Sequence, residues 1–184
     1  AHGIHFDNSE LEALSEQGIG VAHCPNANMR LGSGICPVPK MLEQVIKVGI
    51  GVDGSASNDS GHILGELRQA LYLARVDGGA EAMSAMDALE LGTWRSAELI
   101  GRDDIGRIAA GFCGDCALFP VYELYSNGCE NAVDALLICH PRQVCDLIVG
   151  GNIRISNGNI SSVDLDELMH SHRNRAEQIQ NNLH

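Results

Sequence analysis

The sequence is short of positive charge. Its 184 residues contain 12 Lys and Arg side chains against 24 Asp and Glu, for a formal net charge of −12. Phosphate backbones and anionic membrane surfaces attract basic proteins, so this balance argues against nucleic acid and membrane as partners. Long hydrophobic runs are also missing, and none approaches the ~20 residues that a membrane helix needs. The first residues lack the basic and apolar pattern of a signal peptide.

The cysteines do not have the pattern of a disulfide framework. The seven cysteines are odd in number and are scattered through predicted strands and helices, which predicts reduced thiols in a cytoplasmic protein. Cys113 and Cys116 have the CxxC form, but no second pair follows at zinc-ribbon spacing, so we interpret the match as chance. The sequence begins at Ala1 with no methionine and no lead-in, and we therefore expect it to be part of a longer protein.

What is present is an alternation of short apolar runs and helical patterns over the first 60 residues. Strands are predicted at residues 1–6, at residues 19–23 and in the run that ends at Asp53. Helices are predicted from a cap at Asn8 or Ser9 to Gly18, and from Pro37 to Gly49, with a polar loop at residues 26–35. Such alternation implies an α/β fold with parallel strands.

The second half of the sequence becomes richer in strands. Helices are predicted from Ile63 to Gly78, from a capping box at Ser84 and Asp87, and in a short segment that reaches Ile100. Later strands are predicted at residues 115–121, 144–149, 152–156 and 160–163, with a hairpin at Asn157-Gly158, a short helix at 131–138, and a final helix from Asp164 to Leu183. The domains predicted from this change are residues 1–108, 109–163 and 164–184.

Three predicted strand ends carry a histidine or an aspartate: His2 (or His5), His23 and Asp53. The stretch from Gly49 to Asp59 has two readings: an active-site strand end, or a buried strand before a helix capped by Asp59 or Ser60. Parallel strands would bring the three side chains to one rim of the sheet. Imidazole and carboxylate groups there suit metal ligation and proton transfer, because both can be unprotonated near neutral pH.

Three sequence blocks, AHGIHF at residues 1–6, VAHCPNANMRLGSG at residues 21–34 and GVDGSASND at residues 51–59, resemble the amidohydrolase superfamily. They look like its aminohydrolase branch, which includes guanine, 8-oxoguanine and cytosine deaminases and the s-triazine hydrolases, and are most similar to 8-oxoguanine deaminases. The resemblance implies the carboxyl-terminal part of a (β/α)₈ metal-dependent hydrolase barrel, about strands six to eight, followed by part of a small β-sandwich and a carboxyl-terminal helix. It also implies one divalent metal, most often zinc, and hydrolytic release of ammonia from a purine-like base.

The resemblance assigns roles residue by residue. His2 matches a histidine that hydrogen-bonds the reacting water, and Asp53 matches an aspartate that binds the metal and accepts the water's proton. Substrate contacts are implied for residues on the loops around them: His23, Asn28, Arg30, Ser55 and Asn58.

The family's other ligands have no match in the sequence. The His-x-His pair of the first strand is absent, as is the fifth-strand histidine with its catalytic glutamate. We therefore expect the 184 residues alone to be inactive and poorly folded. Two alternatives stay open: an s-triazine or cytosine-type aminohydrolase, and a non-catalytic remnant or subunit that needs a partner to supply barrel strands one to five. The full-length protein is expected to be a homo-oligomer.

Overall fold

The computed structural model describes residues 1–58, 60–121, 123–139, 143–160 and 162–182. Its strands are β1 (Val21–His23), β2 (Val48–Ile50), β3 (Cys116–Leu118), β4 (Asp146–Val149), β5 (Asn152–Ser156) and β6 (Asn159–Ile160). Its helices are α1 (Asn8–Glu16), α2 (Pro25–Arg30), α3 (Val38–Glu43), α4 (Ile63–Gly78), α5 (Ala85–Leu91), α6 (Trp94–Leu99), α7 (Ala132–Asp134), which continues as a π-helical turn (Ala135–Cys139), and α8 (Leu165–Asn181).

The chain divides into two compact units. The first unit consists of Ala1–Cys113 and Pro120–Arg142, and the second of Gly114–Phe119 and Gln143–His184. The first unit contains β1, β2 and helices α1 to α7, and the second contains β3 to β6 and α8. The domain boundaries predicted from the sequence stay predictions. Among the described residues, no helix combines the length and the apolar character that crossing a bilayer requires.

The sheet of the first unit is parallel, and the mixed α/β class predicted from the sequence is confirmed. In β1 and β2, Val21 lies opposite Val48 and His23 opposite Ile50. The strand predicted at residues 1–6 is wrong. This segment runs beside β1 in irregular backbone, where the His2 N–H donates to the Ala22 carbonyl at 2.9 Å.

Gly49 lies inside β2, and the prediction that it ends a helix is wrong, since α3 already ends at Glu43. Helix α6 packs so closely on this strand that a Cβ at Gly49 would lie 2.8 Å from Ser96 Oγ. The same Ser96 hydroxyl accepts a hydrogen bond from the Ile50 N–H at 3.0 Å. Glycine is required at position 49 by the approach of a helix, rather than by a turn.

Two further predictions near the amino terminus are corrected. Residues 26–35, predicted as a loop, include most of α2, which Pro25 begins with its fixed φ angle. Helix α1 is capped by Asp7, not by Asn8 or Ser9. The Asp7 side chain accepts from the Glu10 N–H at 2.9 Å, and the Glu10 side chain accepts from the Asp7 N–H, which forms a capping box.

Helix α4 supplies much of the core of the first unit. It follows the predicted pattern, with Leu64, Leu67 and Leu71 all buried. Its cap is His62, whose Nδ1 accepts from the Gly65 N–H, so the alternative cap Ser60 is wrong, and Asp59 lies outside the described residues. The capping box at Ser84, which begins α5, is confirmed.

The second unit is an antiparallel sheet in the order β3-β4-β5-β6. The predicted hairpin is confirmed: Asn157 and Gly158 both have positive φ, at 49° and 76°, as a tight turn requires. Strands β3 and β4 are shorter than predicted. Asp164 caps α8 as predicted, whereas the predicted end at Leu183 lies outside the described residues. None of the described side chains in this unit is buried.

Candidate active site

The carboxyl ends of β1 and β2 form a common rim, because the two strands are parallel. His23 is the last residue of β1, and Asp53 lies in the loop that follows β2. His2 reaches the same rim through its backbone hydrogen bond to Ala22 in β1. The sequence blocks that predicted a site therefore come together here.

His2 and Asp53 face each other across the rim. His2 Nε2 lies 4.0 Å from Asp53 Oδ2, and the two side chains are 39% and 31% exposed. On the other side of the ring, His2 Nδ1 hydrogen-bonds Asn28 Oδ1 at 2.8 Å. Because an amide oxygen only accepts, Nδ1 carries a proton, and Nε2 is the ring nitrogen that faces Asp53.

The Asp53 carboxylate is held in its ionised form. Ser57 Oγ donates to Asp53 Oδ2 at 2.6 Å. This hydrogen bond lowers the pKa of Asp53 below its usual range, with smaller contributions from the Gly54 N–H and from the nearby His2. Both His2 and Asp53 have left-handed backbone, with φ of 69° and 63°. Backbone strain of this kind, in residues other than glycine, is concentrated at functional sites.

His23 is buried and neutral. It is 1% exposed, and burial, together with the nearby His2, lowers its pKa to about 4. Among the described residues, none offers a hydrogen-bond partner to His23 Nδ1 or to Asn28 Nδ2, although both atoms are buried. Buried polar atoms are nearly always paired, so these two keep hydrogen-bonding capacity that the described residues do not use.

The remaining predicted substrate residues differ in placement. Arg30 lies in the last turn of α2 and Ser55 in the loop after β2, and both are exposed. Asn58 is only 6% exposed, and its amide donates to Glu66 Oε1. Substrate contact by these three residues stays a prediction.

Sequence reasoning missed Ser57 and Glu66. Ser57 lies four residues after Asp53, inside a block already singled out. Glu66 occupies the buried face of α4 between Leu64 and Leu67, and it is 0% exposed. A carboxylate at a core position of an amphipathic helix was the signal that could have found it.

The donors on the rim suit a metal such as zinc, which binds carboxylate oxygen and neutral imidazole nitrogen. Asp53 is ionised and accessible, and the 4.0 Å gap to His2 leaves room for one small group that contacts both. A catalytic zinc, however, takes three protein ligands. The described residues contain no group of three His, Cys, Asp or Glu side chains placed to bind one. The residues present fit part of such a ligand set.

Residues 1–154 match the amidohydrolase family, and the chain belongs to that family. It is 45% identical over 173 residues to the 8-oxoguanine deaminase of Pseudomonas aeruginosa, a match that covers 94% of this chain and 38% of the relative. The chain therefore spans about two fifths of that relative's length.

Solved structures of the same class are also similar. An adenosine deaminase from Xanthomonas campestris with bound zinc has a TM-score of 0.91 and 28% identity, over 98% of this chain and 42% of that one. The zinc complex of the atrazine chlorohydrolase of Arthrobacter aurescens has a TM-score of 0.84 and 28% identity, over 92% and 38%.

Proposed function

We propose that the chain forms the carboxyl-terminal portion of a zinc-dependent hydrolytic deaminase that removes an amino group, as ammonia, from a purine-like base of the 8-oxoguanine or guanine type. The observation that carries the proposal is the pair of His2 and Asp53, 4.0 Å apart on one rim and each oriented by a second side chain. Membership in the amidohydrolase family and the similarity to a deaminase that acts on 8-oxoguanine support it.

The finer architecture is part of the proposal. The first unit would supply about strands six to eight of a (β/α)₈ barrel, with β1 and β2 as the last two, and the second unit would supply part of a small β-sandwich. The parallel pair with helices between and after its strands supports this, as do the solved structures matched over almost the whole chain. The other barrel strands and zinc ligands would come from outside the described residues.

The reaction adds water to the carbon that bears the amino group, and ammonia leaves as that carbon becomes a carbonyl. Asp53 would hold the metal and accept a proton from the water, since its pKa is lowered and it is ionised at neutral pH. Zinc, when bound, would lower the pKa of the water toward ~7. His2 would accept a hydrogen bond from the water at Nε2, because Asn28 keeps the ring proton on Nδ1.

His23 and Asn28 would contribute binding rather than proton transfer. His23 is neutral at physiological pH because its pKa lies near 4, so it can hydrogen-bond an uncharged heterocycle without a net charge. The unpaired His23 Nδ1 and Asn28 Nδ2 are one ring nitrogen and one amide donor whose hydrogen bonds the described residues do not use. Polar groups of this kind suit the edge of a base, whose nitrogens and carbonyls alternate as acceptors and donors.

The test is a substrate screen with the complete polypeptide that contains these residues. The zinc-loaded protein is incubated with 8-oxoguanine, guanine, cytosine, isocytosine and hydroxy-triazines, and ammonia release is measured. We expect the largest kcat/KM with 8-oxoguanine or guanine. Preferred turnover of a triazine or of cytosine would instead favour the alternative aminohydrolase, for which the similarity to an atrazine chlorohydrolase is the supporting observation.

A non-catalytic remnant or subunit is the second candidate. It is favoured by the ligand set, since the described residues do not bring together the three donors that a catalytic zinc requires. This candidate predicts no ammonia release from any of the bases, and turnover only after a separate chain that supplies the missing strands is added. Zinc bound stoichiometrically by the complete polypeptide alone, with turnover, would exclude it.

A further inference from the structure

Glu66 is a buried carboxylate that the proposed chemistry does not use. It lies in the first turn of α4 and is 0% exposed. A carboxylate is rarely buried completely unless its charge is compensated. The amino-terminal turn of the 16-residue helix supplies part of the compensation, because the helix dipole favours negative charge at that end.

Hydrogen bonds to Glu66 come from two asparagines on different segments. The Asn26 N–H donates to Oε2 at 3.1 Å, and Asn26 Nδ2 donates to Oε1 at 2.7 Å. Asn58 Nδ2 donates to the same Oε1. All three groups are donors, so they need a partner that only accepts. A carboxylate is such a partner, and hydrogen bonds to a charged acceptor are stronger than neutral ones.

The first asparagine connects Glu66 to His2. Asn26 lies at the start of α2, whose cap residue Cys24 accepts no hydrogen bond through its side chain. Glu66 therefore supplies, from another helix, the acceptor that this helix start lacks. Two residues further along α2, Asn28 holds the His2 ring at 2.8 Å.

The second asparagine connects Glu66 to Asp53. The Asn58 N–H donates to the Gly54 carbonyl at 2.9 Å, which closes the loop that begins at Asp53. Within that loop, Ser57 Oγ donates to both Asp53 Oδ2 and the Gly54 carbonyl. The contacts thus run from His2 through α2 to Glu66 and back through the loop to Asp53.

We propose that Glu66 is a positioning residue that fixes the spacing between His2 and Asp53 by clamping α2 and the Asp53 loop to one carboxylate. The inference rests on the proposed function, since that function gives the spacing its importance. The clamp is a property of the folded chain and can be measured without turnover.

The test is Glu66→Gln in the complete, zinc-loaded polypeptide. The substitution keeps the size of the side chain but replaces one acceptor oxygen with an amide NH2 group, which cannot accept a hydrogen bond from the asparagines. We expect kcat to fall about 10- to 100-fold, since a misplacement of about 1 Å can cost 10²-fold, with zinc content kept and KM changed less than kcat. Hydrogen exchange of the Asn26 amide and of the amides in residues 54–58 should become at least about tenfold faster.

A double substitution distinguishes loss of the clamp from misfolding. In the double variant Glu66→Gln/Asn58→Asp the donor and the acceptor of one bond are exchanged, so it should recover part of the lost kcat and of the slow exchange in the loop. Glu90→Gln, which breaks a partly exposed ion pair with Arg95, is the control and should leave kcat and these exchange rates unchanged.

The two measurements, ammonia release and amide exchange, test the proposed function and the Glu66 clamp separately. Unchanged amide exchange in Glu66→Gln would overturn the clamp, as would an unchanged kcat per folded molecule of an active enzyme. If the parent protein releases no ammonia from any base, the proposed function fails, and exchange alone decides whether Glu66 clamps the two segments. Faster exchange that the double variant reverses then supports the clamp.

Discussion

The two units of the chain differ in what holds them together. In the first unit, helix α4 buries Leu67 and Leu71 completely, and the candidate active site is built on strands that this core supports. In the second unit, the strands are paired by backbone hydrogen bonds, yet Ile153 is 67% exposed and no described side chain is buried. Hydrogen-bonded pairing gives a sheet its geometry, whereas burial of apolar surface supplies most of the free energy of folding.

The comparison also explains where function can be sited. Residues whose spacing matters to a fraction of an ångström must be fixed by packed neighbours. His2, Asn28 and Asp53 all lie in the first unit, and a buried carboxylate connects their segments. The second unit offers no comparable support among its described residues. We therefore expect substitutions in the first unit to have much larger effects than matched substitutions in the second.

The largest effect is expected from Asp53→Asn in the complete polypeptide. The amide cannot accept the water's proton and is a poorer metal ligand, so turnover should fall by about 10²- to 10⁴-fold with weaker zinc binding. Ammonia release and zinc content are the measurements. Asp146→Asn in the second unit is the matched control and should change turnover less than about twofold.

His2→Asn separates the two proposed roles in the first unit. It should lower turnover while zinc is retained, because His2 is proposed to contact the water rather than the metal. Full activity of Asp53→Asn would show that the mechanism is assigned to the wrong residue.

A structural feature could be predicted from the sequence where its cause is local, and could not where its cause is distant along the chain. The start of α5 at Ser84 and the Asn157-Gly158 hairpin are specified by neighbouring residues, and both were predicted. The position of Gly49 inside a strand could not be, because it depends on the approach of Ser96, which is distant in sequence.

The candidate site shows the same limit. His2, His23 and Asp53 were predicted because each lies in a recognisable sequence block. The ring orientation set by Asn28 and the hydrogen bonds from Asn26 to Glu66 depend on how separate segments meet. Periodicity indicates which face of a helix is buried, but not which donors a buried carboxylate will find.

The second largest effect concerns the core itself. Leu71→Ala should lower the free energy of unfolding of the first unit by about 2–5 kcal/mol, since the side chain is 0% exposed and its removal leaves a cavity. Ile153→Ala in the second unit should change stability by no more than about 0.5 kcal/mol. Hydrogen exchange in the complete polypeptide is measured for the amides of α4 in the first unit and of β5 in the second. Equal losses in the two variants would contradict the comparison.

The next prediction concerns the pH dependence of stability. The folded pKa of His23 is about 4, against an ordinary value of 6.5, so between these values the unfolded chain binds a proton that the folded chain does not. Stability from the neutral ring is therefore fully present above pH 6.5 and is lost as the pH falls toward 4, by up to about 3 kcal/mol.

The measurement is urea unfolding of the first unit at pH 7 and at pH 5. In His23→Gln, which has no titrating ring, the difference between the two pH values should shrink. His2 lies close enough to His23 to lower its pKa, so His2→Asn serves as the second control. An unchanged pH dependence in His23→Gln would place the titrating group elsewhere.

The smallest effects are expected from the helix caps. Ser84→Ala removes the cap of α5, which is packed in the core of the first unit, and Asp164→Ala removes the cap of the exposed helix α8. Each cap contributes about 1 kcal/mol. In α5 the loss should lower the unfolding midpoint of the whole unit, because the helix and its neighbours unfold together. In α8, where the described residues make few buried contacts, it should only speed hydrogen exchange in the first turn. A global loss from Asp164→Ala would show that the second unit is more cooperative than its exposure indicates.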